Sequence, residues 1–269
     1  MKYIVKNEEP KGFADWKKEG PENRWEEFQN PVKSEVRDSL VEEQGYICCY
    51  CGTNIQKNHN TIIEHLKPKG KDLYVEIMFD YDNLLASCAG SNKDIIYLAT
   101  KKDDTLDKII KLYGVSEEEI RSLNPNTDFN HLTLPERIKI SKKANRRPED
   151  LHCDARKGDN EIQIHPLMRN CEDFFRYRRS DGEMVSAGSE EAEKTINILG
   201  LNAKLCKEHR KAVLDGINDI IKVLLENREN FRTEMEKLIT RYNQKNSQGR
   251  FEHYCFVSVS YLKEFSDIQ

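Results

Sequence analysis

The sequence lacks a hydrophobic run long enough to span a membrane, and it contains no low-complexity tract and no internal repeat. Its first segment, Met1 to Trp16, carries lysine and glutamate throughout, where a signal peptide would be apolar. These absences argue against membrane-embedded, exported, fibrous and repeat proteins. We therefore expect a cytoplasmic protein with no membrane partner.

The chain also lacks an excess of basic charge, because 43 Lys and Arg stand against 47 Asp and Glu, for a formal net charge of -4. A nucleic-acid partner would have to be held by local basic patches rather than by the field of the whole protein. The 269 residues are 37% hydrophobic and 33% charged, a polar composition that favours an exposed helical scaffold. The length suits one large domain or two smaller ones.

Cysteine, in contrast, occurs eight times. Disulfides are not expected in a reducing cytosol, which leaves metal ligation or burial as explanations. Cys48 and Cys51 have Cys-x-x-Cys spacing, and Cys88 and Cys153 stand where a second pair would complete a tetrahedral thiolate site. We predict that these four residues bind one structural Zn²⁺.

Two alternatives stay open at this site: Cys49 could replace Cys48, and His152 could replace Cys153. The remaining thiols lie in apolar or helical contexts and are predicted to be simply buried. They are Cys171, Cys206 and Cys255.

Between and just after the cysteines stand Glu64, His65, Asn83 and Asp154. Hydrolysis of a phosphodiester needs a group that deprotonates water and a divalent ion that neutralises developing charge. His65 suits the general base, while Glu64 and Asp154 offer the oxygen ligands that Mg²⁺ or Mn²⁺ prefers. Asn83 is predicted either to hold the His65 loop or to ligate the ion.

Basic residues lie close to this set in the sequence: Lys67 and Lys69 follow the predicted base, and Arg156 and Lys157 follow the last cysteine. Lysine and arginine neutralise phosphates, so we expect these four side chains to contact nucleic acid. Taken by itself, each of these basic pairs would also be typical of a solvent-exposed surface.

The pattern of elements predicts an α+β protein. Residues 1–95 and 142–187 form the two parts of one domain, residues 96–141 an inserted βααβ unit, and residues 188–269 a mainly helical region. The elements predicted in detail are helices at 35–44, 106–113 and 116–123, a strand at 137–140, and a strand-like tail at 251–265 whose residues 261–265 equally suit a helix.

The motif residues together resemble the HNH endonuclease family, through Cys48-x-x-Cys51, Glu64-His65, Asn83-Leu84-x-x-x-Cys88 and Cys153-Asp154-x-x-Lys157. The resemblance implies a ββα-metal fold with the base on a hairpin, an acid before that His that ligates the catalytic ion, and a last motif residue directly after the final cysteine. Here that last residue is Asp154 rather than His.

More narrowly, residues 63–69, 152–158 and 199–210 resemble PtuB, the HNH partner of Septu and retron-type anti-phage systems. This resemblance covers residues 1–95 and 145–215. It implies a PtuA-like ATPase subunit as the partner, one that restrains or directs the nuclease.

Nearly all of residues 96–141 resembles a LysM domain, through Tyr97, Asp104-Thr105-Leu106, Tyr113-Gly114-Val115-Ser116, Leu123-Asn124-Pro125-Asn126 and Ile138-x-Ile140. LysM domains elsewhere often bind N-acetylglucosamine polymers outside cells. Because no export signal is expected, we interpret this unit as an interaction or spacing module.

These observations predict an HNH endonuclease that hydrolyses nucleic-acid phosphodiester bonds within an ATPase-nuclease defence complex. DNA is the expected substrate, with RNA and tRNA left open, because HNH chemistry acts on the phosphate. The alternative is a catalytically inactive zinc-containing adaptor that binds nucleic acid or the ATPase. A third hypothesis is a glycan-binding protein.

Overall fold

The computed structural model describes residues 1–20, 24–90, 95–99, 104–113, 116–132, 134, 136–141, 147–226 and 230–267. The chain divides into two compact units, one formed by Met1–Gly90 with His152–Gln269 and the other by Ser91–Leu151. The predicted insertion, residues 96–141, falls inside the second unit.

In chain order the elements are α1 (Lys11–Glu19), α2 (Val32–Glu43), β1 (Thr61–His65), β2 (Leu84–Cys88), β3 (Ile95–Ala99), α3 (Leu106–Tyr113), α4 (Glu117–Leu123), β4 (Glu136–Ser141), α5 (Asp154–Lys157), β5 (Phe175–Tyr177), β6 (Met184–Ser186), α6 (Glu190–Ile198), α7 (Lys204–Glu226), α8 (Phe231–Asn243) and α9 (Cys255–Asp267). Elements β3, α3, α4 and β4 belong to the second unit and the others to the first. Each described sheet has two antiparallel strands: β1 with β2, β3 with β4, and β5 with β6.

The β1–β2 hairpin carries the central motif residues. Its register pairs Thr61 with Cys88 and His65 with Leu84, so Cys88 and the predicted base His65 lie at opposite ends of the hairpin. Most of β1 is buried, in keeping with the two consecutive isoleucines at its centre. The connection between the strands contains two short 3₁₀ helices, which include Asn83.

Helix α2 leads the chain into the first cysteine pair. It begins three residues earlier and ends one residue earlier than the predicted helix at 35–44, and its Val36, Leu40 and Val41 are fully buried. Gly45 follows the helix with φ +63°, where a Cβ would lie 2.5 Å from the Phe251 ring. Glycine is therefore required at this turn.

The second unit has the element order β3–α3–α4–β4 and a hydrophobic core of its own, formed by Ala99, Leu106, Ile109, Ile120, Phe129, Ile138 and Ile140. Helix α3 has the predicted bounds. Helix α4 is capped by Ser116, whose Oγ accepts the Glu119 N–H at 3.1 Å. Gly114 and Val115 of the LysM-like pattern lie outside the described residues. The resemblance to LysM stays a prediction.

Within the described residues the first unit ends in helix α9, so the strand predicted at 251–265 is wrong, whereas the helical alternative for 261–265 agrees with the structure. Helix α9 contacts α7, α8 and β5, and Phe256, Val257 and Leu262 are buried. Because this helix is enclosed on several sides, it lacks a single apolar stripe, and its β-branched and aromatic residues imitate a strand. Although α7 has 23 residues, none of the described helices combines the length and apolar character needed to cross a bilayer.

Candidate active site and metal centre

Four cysteine sulfurs converge in the first unit. The Sγ atoms of Cys48, Cys51, Cys88 and Cys153 all lie within 4.8 Å of one another, and the Cys48–Cys153 and Cys51–Cys88 pairs are each 3.8 Å apart. A tetrahedral site with metal–sulfur bonds of about 2.3 Å has sulfur–sulfur edges of about 3.8 Å. The cluster could therefore hold a metal such as zinc.

The first cysteine pair lies on a tight turn against the C-terminal helix. The Gly52 N–H donates to the Cys48 carbonyl at 3.1 Å, and the Tyr254 N–H donates to the Gly52 carbonyl at 2.9 Å. Gly52 has φ +82°, and a Cβ there would lie 2.5 Å from the Phe256 ring. Only glycine lets this turn approach α9 so closely.

The other two cysteines come from separate parts of the chain. Cys88 ends β2, and its N–H donates to the Cys48 Sγ at 3.3 Å. Cys153 precedes α5 with φ +53°, a conformation that costs a non-glycine residue about 1–3 kcal/mol. Its N–H donates to the Leu199 carbonyl at 2.8 Å, so the bond to the segment after α6 helps to hold the strained cysteine in place.

Within the described part of the chain, the sulfur cluster contains neither of the two alternative ligands, Cys49 and His152. The His152 Nδ1 lies beside the cluster, 3.2 Å from the Cys153 Sγ and 3.8 Å from the Cys88 Sγ. Cys49 is buried and its N–H donates to a β2 carbonyl. The geometry therefore favours Cys48 and Cys153.

Glu64 lies buried at the end of β1 between a tyrosine and a lysine. The Tyr50 hydroxyl donates to Glu64 Oε1 at 3.0 Å, and the Lys157 Nζ lies 3.0 Å from the same oxygen. Burial and the neighbouring Asp154 carboxyl raise the pKa of Glu64 to about 8, against the lowering effect of Lys157. Two neighbouring carboxyl groups offer the oxygen ligands that a divalent cation prefers.

The structure corrects the prediction for Lys157. Its side chain is 1% exposed, and its Nζ donates to the His65 carbonyl at 2.8 Å in addition to its ion pair with Glu64. An ammonium buried in this way is not a surface contact for phosphate. Lys157 instead joins α5 to the end of β1.

The His65 ring is 5% exposed and is fixed by a backbone carbonyl. Its Nε2 lies 3.0 Å from the Met78 oxygen. Because a carbonyl only accepts, Nε2 carries the proton and Nδ1 holds the lone pair. Burial, and then the nearby charge of Lys69, lower the pKa of His65 to about 4. The imidazole is therefore neutral at physiological pH.

Asn83 braces the loop that follows His65. Its Oδ1 accepts the Lys67 N–H at 2.7 Å, and its Nδ2 donates to the carbonyls of Lys67 and Ile77 at 3.1 and 3.2 Å. Of the two predicted roles, this geometry is that of holding the loop.

The other predicted nucleic-acid contacts are more exposed. Lys67 and Lys71 share Glu161, at 2.9 and 3.0 Å. Lys69 is exposed, and its Nζ lies 4.1 Å from the centre of the Trp25 ring. Arg156 is exposed on α5. These side chains surround the same end of the hairpin.

Comparison with known proteins points in the same direction as this geometry. No protein-family model matches the chain. It is 28% identical over 102 residues to an Escherichia coli protein named "Retron Ec83 putative HNH endonuclease" and 35% identical over 81 residues to a Vibrio cholerae protein named "Retron Vc95 putative HNH endonuclease". These matches cover 34% and 30% of this chain, and the chain spans 38% of the length of each relative.

These distant homologues support the HNH endonuclease family. The resemblance to that family rests on the motif residues. In the first unit these residues lie on the β1–β2 hairpin or close to it. The narrower resemblance to PtuB, and the ATPase partner that it implies, stay predictions.

Sequence reasoning missed several residues of the candidate HNH site. Tyr50 stands inside the Cys-x-x-Cys motif and was passed over as a spacer, although its hydroxyl contacts Glu64. Trp25 packs edge-on against the His65 ring at 4.6 Å between ring centres. Cys206 is buried on α7, as predicted. No local motif marks Trp25.

Proposed function

We propose that this chain is an HNH endonuclease that hydrolyses nucleic-acid phosphodiester bonds, with DNA as the expected substrate. The observation that carries the proposal is the state of His65: a buried, neutral imidazole whose Nε2 is held by the Met78 carbonyl. A base in this form needs no deprotonation before it accepts a proton. The names of the two retron relatives support the same reaction class.

Glu64 and Asp154 fit a catalytic Mg²⁺ or Mn²⁺, because their two carboxyl groups come together and offer oxygen ligands. When bound, such an ion neutralises the charge that develops on the phosphate and on the leaving oxygen. Zn²⁺ is the proposed occupant of the four-cysteine cluster, since its sulfur spacing suits a closed tetrahedral site.

The chain's own residues accept the proton and hold the site in position. His65 Nδ1 accepts a proton from the attacking water, the new phosphorus–oxygen bond forms, and the bond to the leaving sugar oxygen breaks. Asn83 keeps the His65 loop in place. Lys157 offsets part of the negative charge of Glu64 and ties α5 to the His65 carbonyl.

The setting that we propose is anti-phage defence, with a PtuA-like ATPase as partner. The support is the retron origin of the two named relatives and the resemblance of residues 63–69, 152–158 and 199–210 to PtuB. Co-purification of the chain with a PtuA-like ATPase tests this part separately.

The central experiment incubates the purified protein with plasmid DNA, single-stranded oligonucleotide and tRNA, each with Mg²⁺, with Mn²⁺ and without added metal, and with or without a PtuA-like ATPase. We expect metal-dependent cleavage that falls by about 10²–10⁴-fold in His65→Ala. His131→Ala, which changes an exposed histidine of the second unit, is the matched control and should cleave normally. A His65→Ala protein that cleaves at the wild-type rate would overturn the mechanism.

One observation favours a second candidate, the catalytically inactive adaptor. The ion pair between Glu64 and Lys157 already compensates the carboxylate that would ligate the ion. If folded, zinc-containing protein binds nucleic acid but cleaves none of the substrates with either metal, with or without the ATPase, the adaptor function is the correct one.

A further inference from the structure

Two lysine ammonium groups meet on the ring of Trp25. The Nζ of Lys69 lies 4.1 Å and that of Lys33 lies 5.0 Å from the ring centre. Both distances are within the range of a cation–π contact. Lys33 comes from the first turn of α2 and Lys69 from the loop after β1, so the fold brings together two charges that are 36 residues apart in the chain.

Among the residues that the structure describes, this pair differs from the other lysines of the site in having no acidic salt-bridge partner. Lys67 and Lys71 share the Glu161 carboxylate, and Lys157 pairs with Glu64. Neither Lys33 nor Lys69 forms a salt bridge with any residue that the structure describes.

The two lysines are close enough for the charge of Lys33 to affect the pKa of Lys69. Burial and then the charge of Lys33 lower the pKa of Lys69, with Glu26 as the first opposing charge. Burial and then Arg37 lower the pKa of Lys33. Like charges held close together are unfavourable until an anion neutralises them.

The location of the pair identifies the anion. The Trp25 ring that carries both lysines also contacts the His65 ring, 4.6 Å between centres. Phe28 and Phe79 pack against Trp25 at 5.2 and 5.9 Å, so the ring is supported by an aromatic cluster. Any anion between the lysines would lie beside the proposed base.

We propose that Lys33, Trp25 and Lys69 form a clamp for a backbone phosphate of the nucleic-acid substrate, one that lies next to the phosphate that is cleaved. This inference rests on the proposed function, because the clamp takes its ligand from that reaction. The lysines are positioning residues: Trp25 orients the ammonium groups, and they hold the substrate strand against His65.

The test measures binding rather than cleavage. Fluorescence anisotropy measures the affinity of His65→Ala protein for a labelled DNA duplex. The substitutions Lys33→Met and Lys69→Met are then introduced into this protein, singly and together. Salt is varied from about 50 to about 200 mM, since the loss of the one clamped phosphate reduces the slope of log K against log salt by about 0.9 in the double variant. That slope converts to about eightfold weaker binding of the double variant at 0.1 M salt, with a smaller loss in each single variant.

Lys17→Met is the matched control. The Lys17 Nζ also lies over an aromatic ring of the same cluster, 4.9 Å from the Phe13 centre, but it is paired with Glu9. Its substitution should leave both affinity and salt slope unchanged. Lys33→Arg and Lys69→Arg, which keep the charge, should restore most of the binding.

The outcomes separate the clamp from the proposed nuclease activity. If Lys33→Met and Lys69→Met bind with the wild-type affinity and salt slope, or if the control weakens binding as much, the clamp is refuted even where cleavage is intact. If the wild-type chain never cleaves but the two lysine variants weaken binding and flatten the salt slope, the clamp stands and the nuclease function fails. A chain that binds no nucleic acid refutes both.

Discussion

The four-cysteine cluster and the Glu64–His65 group lie at opposite ends of one hairpin and are constructed in opposite ways. The cluster is closed: four sulfurs within 4.8 Å provide a complete ligand set. The other group offers two carboxyl groups, a neutral imidazole and nearby lysines, with Asp154 and Lys69 reaching solvent. A closed site suits structure and an open one suits chemistry. Removing a residue from the cysteine cluster should therefore affect folding, whereas removing one from the Glu64–His65 group should mainly affect function.

The largest expected effect is loss of the metal from the cluster. Structural zinc sites contribute about 10–16 kcal/mol of apparent binding free energy in small domains, which is comparable with the whole stability of a domain. Cys153→Ser or strong chelation should therefore unfold the surrounding region. Elemental analysis and thermal melting measure this, with Cys171→Ser, a buried thiol outside the cluster, as the control. Folded wild-type protein without zinc would contradict the prediction.

The next effect tests whether Lys157 belongs to the fold rather than to the nucleic-acid surface. Lys157→Met leaves Glu64 buried without its partner, and the loss of one member of a buried pair costs about 3–5 kcal/mol. Protonation of Glu64 limits this loss. Urea unfolding measures it.

Lys67→Met is the comparison for that measurement. Its ion pair with Glu161 joins side chains that are 43% and 30% exposed, so the free energy of unfolding should change by less than about 1 kcal/mol. Equal losses in Lys157→Met and Lys67→Met would return Lys157 to the surface role predicted from the sequence.

A smaller effect should appear on acidification. The pKa of His65 is about 4 in the folded chain, below the ordinary histidine value of about 6.5. The unfolded chain therefore takes up a proton first as pH falls, and the stability present above pH 6.5 declines toward pH 4. Between pH 6.5 and 5 this amounts to about 2 kcal/mol.

Urea unfolding at several pH values tests the acid effect in wild type and in His65→Gln, where this part of the pH dependence should disappear. His131→Gln, an exposed histidine, should retain it. The same lowered pKa predicts that cleavage persists below pH 6.5 until His65 is protonated. Activity that declines with a midpoint near 6.5 would argue against a buried base.

The smallest effect concerns the second unit. The chain leaves the first unit at Gly90 and returns at His152, and the His152 N–H donates to the Gly90 carbonyl at 3.1 Å. A short Gly-Ser linker can therefore replace residues 91–151, since loop closure costs only about 0.6 kcal/mol per doubling of length. We expect the shortened protein to hold as much zinc as the full chain. A folded variant without zinc would make the second unit part of the metal centre.

Much of this architecture was predictable because local signals agree with it. The helix predicted at 106–113 matches α3, and Ser116 caps α4 as its spacing with Glu119 indicated. The four cysteines that converge are the predicted ligands, chosen over the alternatives Cys49 and His152 only by the structure. The strand predicted at 251–265 was wrong, although the helical alternative for 261–265 agrees with α9. Burial of this helix on several sides decides its structure, and local composition does not encode that burial.

The sequence by itself determined which residue types stand in motif order: the cysteines, Glu64 with His65, Asn83 and Asp154. Their spacing follows from covalent order and from the needs of metal ligation and proton transfer. Only the tertiary structure decided which charges meet. It buried Lys157 against Glu64, placed the Met78 carbonyl on the His65 ring, and brought Lys33 and Lys69 onto Trp25. Desolvation and the proximity of charges depend on distances between residues that are far apart in the sequence. A local sequence pattern therefore does not predict them.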